Sequence, residues 1–186
     1  AIYSYNRPEF IVTLAACFKA RLVPVNIDYR YRDEELSYIF DNSDSVAVIF
    51  EGGFADNIAR LRPGLPKLQQ FVQLDDGSPS LDGATAWESI IAGDSSALGN
   101  ERSPDDMLFL YTGGTTGMPK GVMWRQTDIW TSLGGGGDPI TAEGKPTDLE
   151  EHLAKIEQGE GLIRLLPACP LMHGTGFITA IGALMS

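Results

Sequence analysis

The sequence predicts an α/β fold in which crossover helices pack on a layered sheet. Two observations support this prediction. Segments with a helical spacing of apolar residues alternate along the chain with short β-branched runs, which is typical of strands joined by crossover helices. In addition, 43% of the 186 residues are hydrophobic, which is enough to bury a real core in one globular unit.

The first predicted unit is a helix followed by a strand. Asn6 is placed to cap this helix, with Glu9 as its partner at the third helical position. The β-branched residues that follow predict a strand over Leu22–Ile27. The apolar stripe of the helix comprises Phe10, Leu14, Ala15 and Phe18.

The same alternation continues to about residue 91. A second helix is predicted from Arg32 to about Asn42, with Leu36, Ile39 and Phe40 facing inward. A short helix capped by Thr85 and Glu88 comes before an aperiodic linker over residues 93–106. Between them the sequence predicts a strand over 46–50, a helix over 54–61, a strand over 70–74 and a polar turn region over 75–83.

Composition excludes several classes of function. The net charge is −11 and the 14 Lys and Arg residues are scattered, so the chain lacks the basic patch that nucleic-acid binding requires. Pro167, Pro170 and His173 interrupt the last uncharged stretch, so no membrane span is predicted. Cys17 and Cys169 stand far apart, which favours two reduced, partly buried thiols and a cytoplasmic protein.

The most informative segment is a strand over Met107–Tyr111 that runs into a glycine- and threonine-rich loop ending near Lys120. Glycines let backbone N–H groups approach an anion, Thr hydroxyls add donors, and a Lys places a compact positive charge on phosphate oxygens. Pro119 and Gly121 exclude the P-loop pattern, so this is a different kind of phosphate loop. The alternative is a flexible hairpin turn. The candidate phosphate-binding residues are Thr112, Gly113, Gly114, Thr115, Thr116, Gly117 and Lys120.

Residues 111–121 (YTGGTTGMPKG) resemble the signature loop of the acyl-adenylate-forming superfamily. That superfamily includes acyl-CoA synthetases, adenylation domains of peptide synthetases and beetle luciferases. Two further segments resemble it in the same order, residues 18–26 (FKARLVPVN) and 170–176 (PLMHGTG). Residues 124–126 (WRQ), the glycines at 134–137 and a helix near 148–157 are similar to the bacterial fatty-acyl or steroid-acid CoA ligase branch.

The resemblance implies that residues 1–186 are the front part of a large N-terminal AMP-binding domain. The chain starts without an initiator Met and stops inside an apolar run, so we expect truncation at both ends. The small C-terminal domain of the family has no counterpart, and we expect the fragment alone to be inactive. The full-length enzyme is expected to use ATP and Mg²⁺ to activate a hydrophobic carboxylic acid and then to transfer it to coenzyme A.

The resemblance also implies roles for individual residues. Lys120, together with the donors of the loop, is expected to hold the β- and γ-phosphates, and Thr116 to orient magnesium. His173 either lines the junction of the acyl pocket and the nucleotide site or is a loop residue that backbone carbonyls satisfy. Lys120 and His173 are therefore the candidate catalytic residues.

Two other functions remain open. The adenylate could pass to a carrier-protein thiol or to oxygen chemistry, or the domain could bind nucleotide without turnover. Outside the loop, His152 is predicted to lie on the solvated face of a capped helix over 147–157. Trp124 and Trp130 are predicted to be core residues, with the border of an acyl pocket as the alternative.

Overall fold

The computed structural model describes residues 1–96, 98–113, 117–133, 135–138, 141, 143–159 and 165–185, in which strands and helices alternate through the first half of the chain. The strands are β1 (Ile2–Tyr3), β2 (Ala47–Glu51), β3 (Gln70–Leu74), β4 (Thr85–Ala86), β5 (Met107–Thr112) and β6 (Lys120–Arg125). The α-helices are α1 (Pro8–Ala20), α2 (Asp33–Asn42), α3 (Ala55–Leu61), α4 (Trp87–Ile91), α5 (Gln126–Ser132), α6 (Leu149–Gln158) and α7 (Gly174–Met185). Short 3₁₀ turns at Gly52–Phe54 and Arg62–Gly64 flank α3.

The strands form two groups that a short extended segment joins. β1 to β4 make a parallel sheet in the order β1-β2-β3-β4, and β5 pairs with β6 antiparallel. Residues 24–27 lie between β1 and β5. The Ile2 amide donates to the Val25 carbonyl over 2.8 Å, and the Phe109 amide donates to the Pro24 carbonyl over 3.0 Å. The backbone is therefore hydrogen-bonded continuously from β4 to β6.

The strand predicted over Leu22–Ile27 is only partly present. Val25 and Asn26 make isolated parallel bridges, and Leu22 and Val23 are exposed. The prediction was wrong at its start because the chain leaves α1 through a left-handed residue, Arg21, and turns before it reaches the sheet.

Buried side chains alternate between the two faces of the sheet, as strand geometry requires. Ile2 packs with one core cluster and Tyr3 with the other, and Leu110 and Tyr111 divide in the same way. Buried apolar residues of α2 and α3 belong to one cluster, whereas those of α1, α5 and α7 belong to the second. This arrangement confirms the predicted layered α/β fold.

The predicted helix caps at Asn6 and Thr85 were wrong. α1 begins at Pro8, whose fixed φ suits a first helical position, and no side chain caps it. The Asn6 side-chain oxygen instead accepts a hydrogen bond from the Leu171 amide over 2.7 Å. Thr85 lies in β4, one residue before the cap position of α4. By contrast, α2 buries Leu36, Ile39 and Phe40, as predicted.

An ion-pair network fixes the start of α1. The Arg7 guanidinium donates to both carboxylate oxygens of Glu9 over 2.8 Å, and to Glu51 over 2.7 Å. Glu51 is buried at the end of β2. The hydrogen bond from Arg7 lowers the pKa of Glu9 to about 2. The network therefore stabilises the fold only while these carboxylates are ionised.

No helix in the described part of the chain is both long enough and apolar enough to span a bilayer.

Candidate active site

The predicted phosphate loop connects the two strands of an antiparallel hairpin. Thr112, the last residue of β5, pairs with Lys120, the first residue of β6, and residues 113–119 form the connection. Thr112, Gly113 and Lys120 are all exposed. Gly114, Thr115 and Thr116 lie outside the described residues, so their assigned roles stay predictions. The described donors Thr112, Gly113, Gly117 and Lys120 are accessible to a ligand, and both the phosphate loop and its alternative stay predictions.

The structure explains why glycine occupies two positions of the loop. Gly117 has a φ of +126°, a conformation that L side chains rarely adopt. A side chain at Gly121 would meet the Tyr111 ring across the hairpin, because its Cβ would lie 2.9 Å from Tyr111 Cζ. The Tyr111 hydroxyl donates to the Asn42 side-chain oxygen over 2.6 Å, and burial raises the pKa of Tyr111. Gly121 therefore allows Tyr111 to tie the hairpin to α2.

The second predicted motif is the turn that leads into α7. The His173 amide donates to the Pro170 carbonyl over 3.0 Å, and the Phe177 amide donates to the His173 carbonyl over 2.9 Å. A Cβ at Gly176 would overlap the Pro170 carbonyl oxygen and lie 2.6 Å from the Cys169 carbonyl oxygen. The spacing of Pro170, His173 and Gly176 is therefore the spacing of one tight turn.

A buried asparagine joins this turn to the hairpin. The Asn26 side-chain oxygen accepts from the Tyr111 amide over 2.7 Å, and its amide group donates to the carbonyls of Tyr111 and Met172. Asn26 is 5% exposed, so these bonds satisfy a polar group that would otherwise be costly to bury. Asn26 lies in the segment over residues 18–26 that resembles the family, but the sequence predicts no role for it.

The turn also places His173 beside a charged pair. Arg30 Nη2 lies 2.9 Å from His173 Nε2, and the same guanidinium contacts both carboxylate oxygens of Asp28. Burial raises the pKa of Asp28, but hydrogen bonds from Arg30 outweigh this effect and lower the pKa overall. The Asp28 side chain therefore stays ionised next to the guanidinium.

A cleft of about 510 Å³ opens between the hairpin and the turn. The structure thus brings Thr112, Gly113 and His173 together, although they lie about 60 residues apart in the chain. Lys120 stands next to Thr112 at the exposed end of the hairpin. The cleft is lined by Asp28, Arg30, Tyr31, Tyr111, Thr112, Gly113, His173 and Gly174.

A family model of AMP-binding enzymes matches residues 1–186. The chain belongs to the AMP-binding enzyme family. It is 43% identical over 178 residues to the 3-oxocholest-4-en-26-oate–CoA ligase of Rhodococcus rhodochrous, and 40% identical over 177 residues to the medium-chain acyl-CoA ligase Mig of Mycobacterium avium. Each match covers 93% of this chain and 32% of the relative, so the chain spans about a third of the length of these relatives.

Two solved structures share the fold of this chain. A red-emitting luciferase from Phrixothrix hirtus superposes with a TM-score of 0.70 at 19% identity, over 97% of this chain and 33% of that one. The anthranilate–CoA ligase AuaEII, in complex with anthranoyl-AMP, superposes with a TM-score of 0.66 at 21% identity, over 72% and 26%. The predicted resemblance to adenylate-forming enzymes is therefore confirmed, and the relatives include the fatty-acyl and steroid-acid ligases expected.

In this member of the AMP-binding family, an apolar pocket of about 240 Å³ lies on the other face of β5. Trp124 lines it and also packs against the core cluster of α1 and α7, which agrees with the predicted core position; a place at the border of an acyl pocket stays a prediction. The other lining residues are Leu108, Leu110, Ile129, Ser132, Leu133, Phe177 and Ile178.

The prediction that His152 is solvated was wrong. His152 is 6% exposed, and its ring packs edge-on against Trp130 with the ring centroids 4.8 Å apart. The ring of His152, on helix α6, also packs against Gly136. A Cβ at Gly136 would lie 2.5 Å from His152 Nδ1. Glu150 and Glu157 of the same helix are exposed, so charged residues near His152 in the sequence do not reveal its burial.

The cysteines are both free thiols. Cys17 is half-buried, and burial raises its pKa, but Cys169 is exposed rather than partly buried as predicted. The predicted metal residue, Thr116, lies outside the described residues. Those that the structure describes contain no group of three or more His, Cys, Asp or Glu side chains that could hold a metal ion. The assignment of Mg²⁺ to Thr116 therefore stays a prediction.

Proposed function

We propose that the protein to which this chain belongs activates a carboxylic acid with ATP and then joins it to coenzyme A. The observation that supports this proposal best is the cleft between the Lys120 hairpin and the His173 turn, in a chain of the AMP-binding enzyme family. In the first step, a carboxylate oxygen attacks the α-phosphorus of ATP and pyrophosphate leaves. In the second step, the thiol of coenzyme A attacks the acyl carbon, and AMP leaves.

The residues at the mouth of the cleft fit a phosphate group. The Thr112 hydroxyl and the Gly113 amide are exposed donors, and the exposed Lys120 pairs with Thr112 across the hairpin. Lys120 is expected to hold the β- and γ-phosphates and to stabilise the charge that develops on the leaving pyrophosphate, with Thr115, Thr116 and the amides of Gly114 and Gly117 as further donors. Removal of one such donor typically costs about 3 kcal/mol of transition-state stabilisation.

We propose a hydrophobic acid as the substrate. Two similar proteins are named as ligases of a steroid acid and of medium-chain acyl groups. The apolar pocket beside β5 supports this choice, because hydrophobic ligand groups bind in pockets lined by apolar side chains. The proposal also includes Mg²⁺ as the partner of the ATP phosphates.

The proposed arrangement of the full protein follows the sequence prediction. Residues 1–186 are the front part of a larger N-terminal domain, with a small C-terminal domain beyond it. The free thiols Cys17 and Cys169 suit the reducing environment of the cytoplasm.

The test is acid-dependent exchange of pyrophosphate into ATP by the full-length protein, with medium-chain, long-chain, aromatic and steroid acids. Lys120→Ala and Thr116→Ala are compared with Lys19→Ala, which removes an exposed Lys of α1 far from the hairpin in sequence. We expect a hydrophobic acid to support exchange, the loop variants to lose about 100-fold or more in kcat, and the Lys19 variant to match the parent.

Three other results would change the conclusion. Exchange without thioester formation on addition of coenzyme A would favour a carrier-protein thiol or oxygen chemistry. ATP binding without exchange for any acid would favour a nucleotide-binding module. Equal loss of exchange in the Lys19 and Lys120 variants would remove the specific role of the hairpin.

A further inference from the structure

Arg30 connects two segments of the cleft that are distant in sequence. Its guanidinium Nη2 lies 2.9 Å from Nε2 of His173, 143 residues further along the chain. The sequence predicts His173 as a candidate catalytic residue but indicates no role for Arg30. The contact joins a cleft-lining histidine to a fixed charge, so it determines which ring atom can exchange protons.

The chemistry of the two groups determines the direction of this hydrogen bond. A guanidinium has five N–H donors and no acceptor. The hydrogen bond to Asp28 raises the pKa of Arg30, so the group stays charged. The Nε2 atom of His173 must therefore accept, and the proton of the neutral ring lies on Nδ1.

The guanidinium is held in place by the segment that carries it. Asp28 accepts from Arg30 Nε over 3.0 Å, from Nη2 over 2.7 Å, and from the Arg30 backbone amide over 2.8 Å. The Asp28 side chain is only 12% exposed. Two residues earlier, Asn26 fixes the same segment to the carbonyl of Met172, the residue before the histidine. The buried Asn26 therefore lies in the segment that carries Arg30 and is hydrogen-bonded to the segment that carries His173.

We propose that Arg30 is a positioning residue that holds His173 in the Nδ1–H tautomer. In this arrangement Nδ1 is the hydrogen-bond donor of the His173 ring, and Nε2 accepts from Arg30 and does not serve as a proton acceptor in the reaction. The effect on catalysis rests on the proposed acyl-adenylate function, whereas the effect on the tautomer does not.

The direct test is the ¹⁵N spectrum of the full-length protein labelled at histidine, with the His173 signals assigned by their loss in His173→Ala. We expect the shifts of an unprotonated Nε2 and a protonated Nδ1 in the parent protein. In Arg30→Ala, the Nε2–H tautomer should become populated. A parent spectrum with Nε2 protonated, or one that Arg30→Ala leaves unchanged, would overturn the proposal whether or not the protein makes acyl adenylates.

The matched control is Arg60→Ala. Arg60 makes the same two-point contact with an aspartate, Asp33, at 2.7 Å for each bond, and its side chain is 53% exposed, compared with 61% for Arg30. It has no histidine contact in the described part of the chain. Each variant therefore loses one two-point Arg–Asp ion pair, and only Arg30→Ala should change the His173 signals.

Kinetics of pyrophosphate exchange test the consequence for the reaction. We expect Arg30→Ala to lower kcat by about 10- to 100-fold with KM for ATP changed less than about twofold, because a misplaced group affects the transition state more than binding. In the His173→Ala background, Arg30→Ala should have almost no further effect on kcat. Additive losses in the double variant, or a change confined to KM for ATP or coenzyme A, would mean that Arg30 contacts a substrate instead.

Discussion

The two walls of the cleft are held in different ways. The turn over residues 170–176 is fixed by side chains from elsewhere in the fold, since Asn26 bonds the Met172 carbonyl and Asn6 accepts from the Leu171 amide. The hairpin wall ends in two exposed residues, Thr112 and Lys120, which pair at the end of a two-stranded ladder. One wall is thus part of the core, and the other extends from it.

Substitutions in the two walls should therefore affect stability and activity differently. Substitutions in the fixed wall remove packing or buried hydrogen bonds, and should lower the free energy of unfolding. Substitutions at the tip of the hairpin remove only solvated groups, so they should affect activity alone. The predictions below test this separation, in order of their expected effect on the free energy of unfolding of the full-length protein.

Gly176→Ala should have the largest effect. Its Cβ would overlap the Pro170 carbonyl, and backbone atoms cannot move aside as a flexible side chain can. We expect a loss of about 3 kcal/mol in urea unfolding. Gly144→Ala is not a suitable control because that residue has a positive φ; Gly64→Ala is suitable, since its Cβ would meet nothing within 4 Å. Equal stability of the Gly64 and Gly176 variants would refute the tight-turn explanation.

Asn26→Ala should be next, at about 2 kcal/mol, because it leaves the Tyr111 amide and the Met172 carbonyl without this partner. Asn26→Asp keeps the acceptor for the Tyr111 amide but loses the donor to Met172. If Asn26 fixes the turn, both variants should also lower kcat under conditions where circular dichroism shows them fully folded. Normal kcat in the folded variants would limit Asn26 to a purely structural role.

The Arg7–Glu9 pair should contribute less, and in a pH-dependent way. The pKa of Glu9 is lowered from 4.5 to about 2, so its contribution is fully present above pH 4.5 and is lost as the pH falls toward 2. Since both side chains are partly exposed, we expect about 1 kcal/mol. Comparison of the parent with Glu9→Gln at pH 7 and pH 3 measures this effect. A stability difference that does not shrink at pH 3 would contradict the ion-pair account.

Lys120→Ala should have the smallest effect on unfolding, within about 0.5 kcal/mol of the parent, because the side chain is exposed. The same variant is expected to lose most pyrophosphate exchange. A destabilisation comparable to that of Asn26→Ala would show that the hairpin tip is part of the fixed structure, and the two walls would then not differ.

Local patterns in the sequence were sufficient to predict those elements whose buried face follows the spacing of apolar residues. The spacing of Leu36, Ile39 and Phe40 predicted the buried face of α2, and the predicted strand over residues 70–74 coincides with β3. In these elements, the periodicity of apolar residues and the burial of one face have the same cause. The layered α/β class followed from the same alternation.

Contacts between distant segments could not be predicted. Asn6 has the chemistry of a helix cap, but a partner 165 residues away uses its side-chain oxygen. His152 lies among charged residues in the sequence, yet Trp130 and Gly136 pack against its ring and bury it. β6 was not predicted because its side chains are mostly exposed and show no buried face. The Arg30–His173 contact likewise depends on folding that no local pattern encodes.

The hydrogen bonds of Asn26 also bear on when the cleft forms during folding. They join residues separated by 85 and 146 positions, whereas α1, α2, α3 and the strands that they connect lie within the first 74 residues. Closure of such long loops is entropically costly and slow, and during synthesis the early units emerge from the ribosome first. We therefore expect the sheet of β1 to β3 to form before the cleft, which cannot be completed until Met172 and His173 have been synthesised.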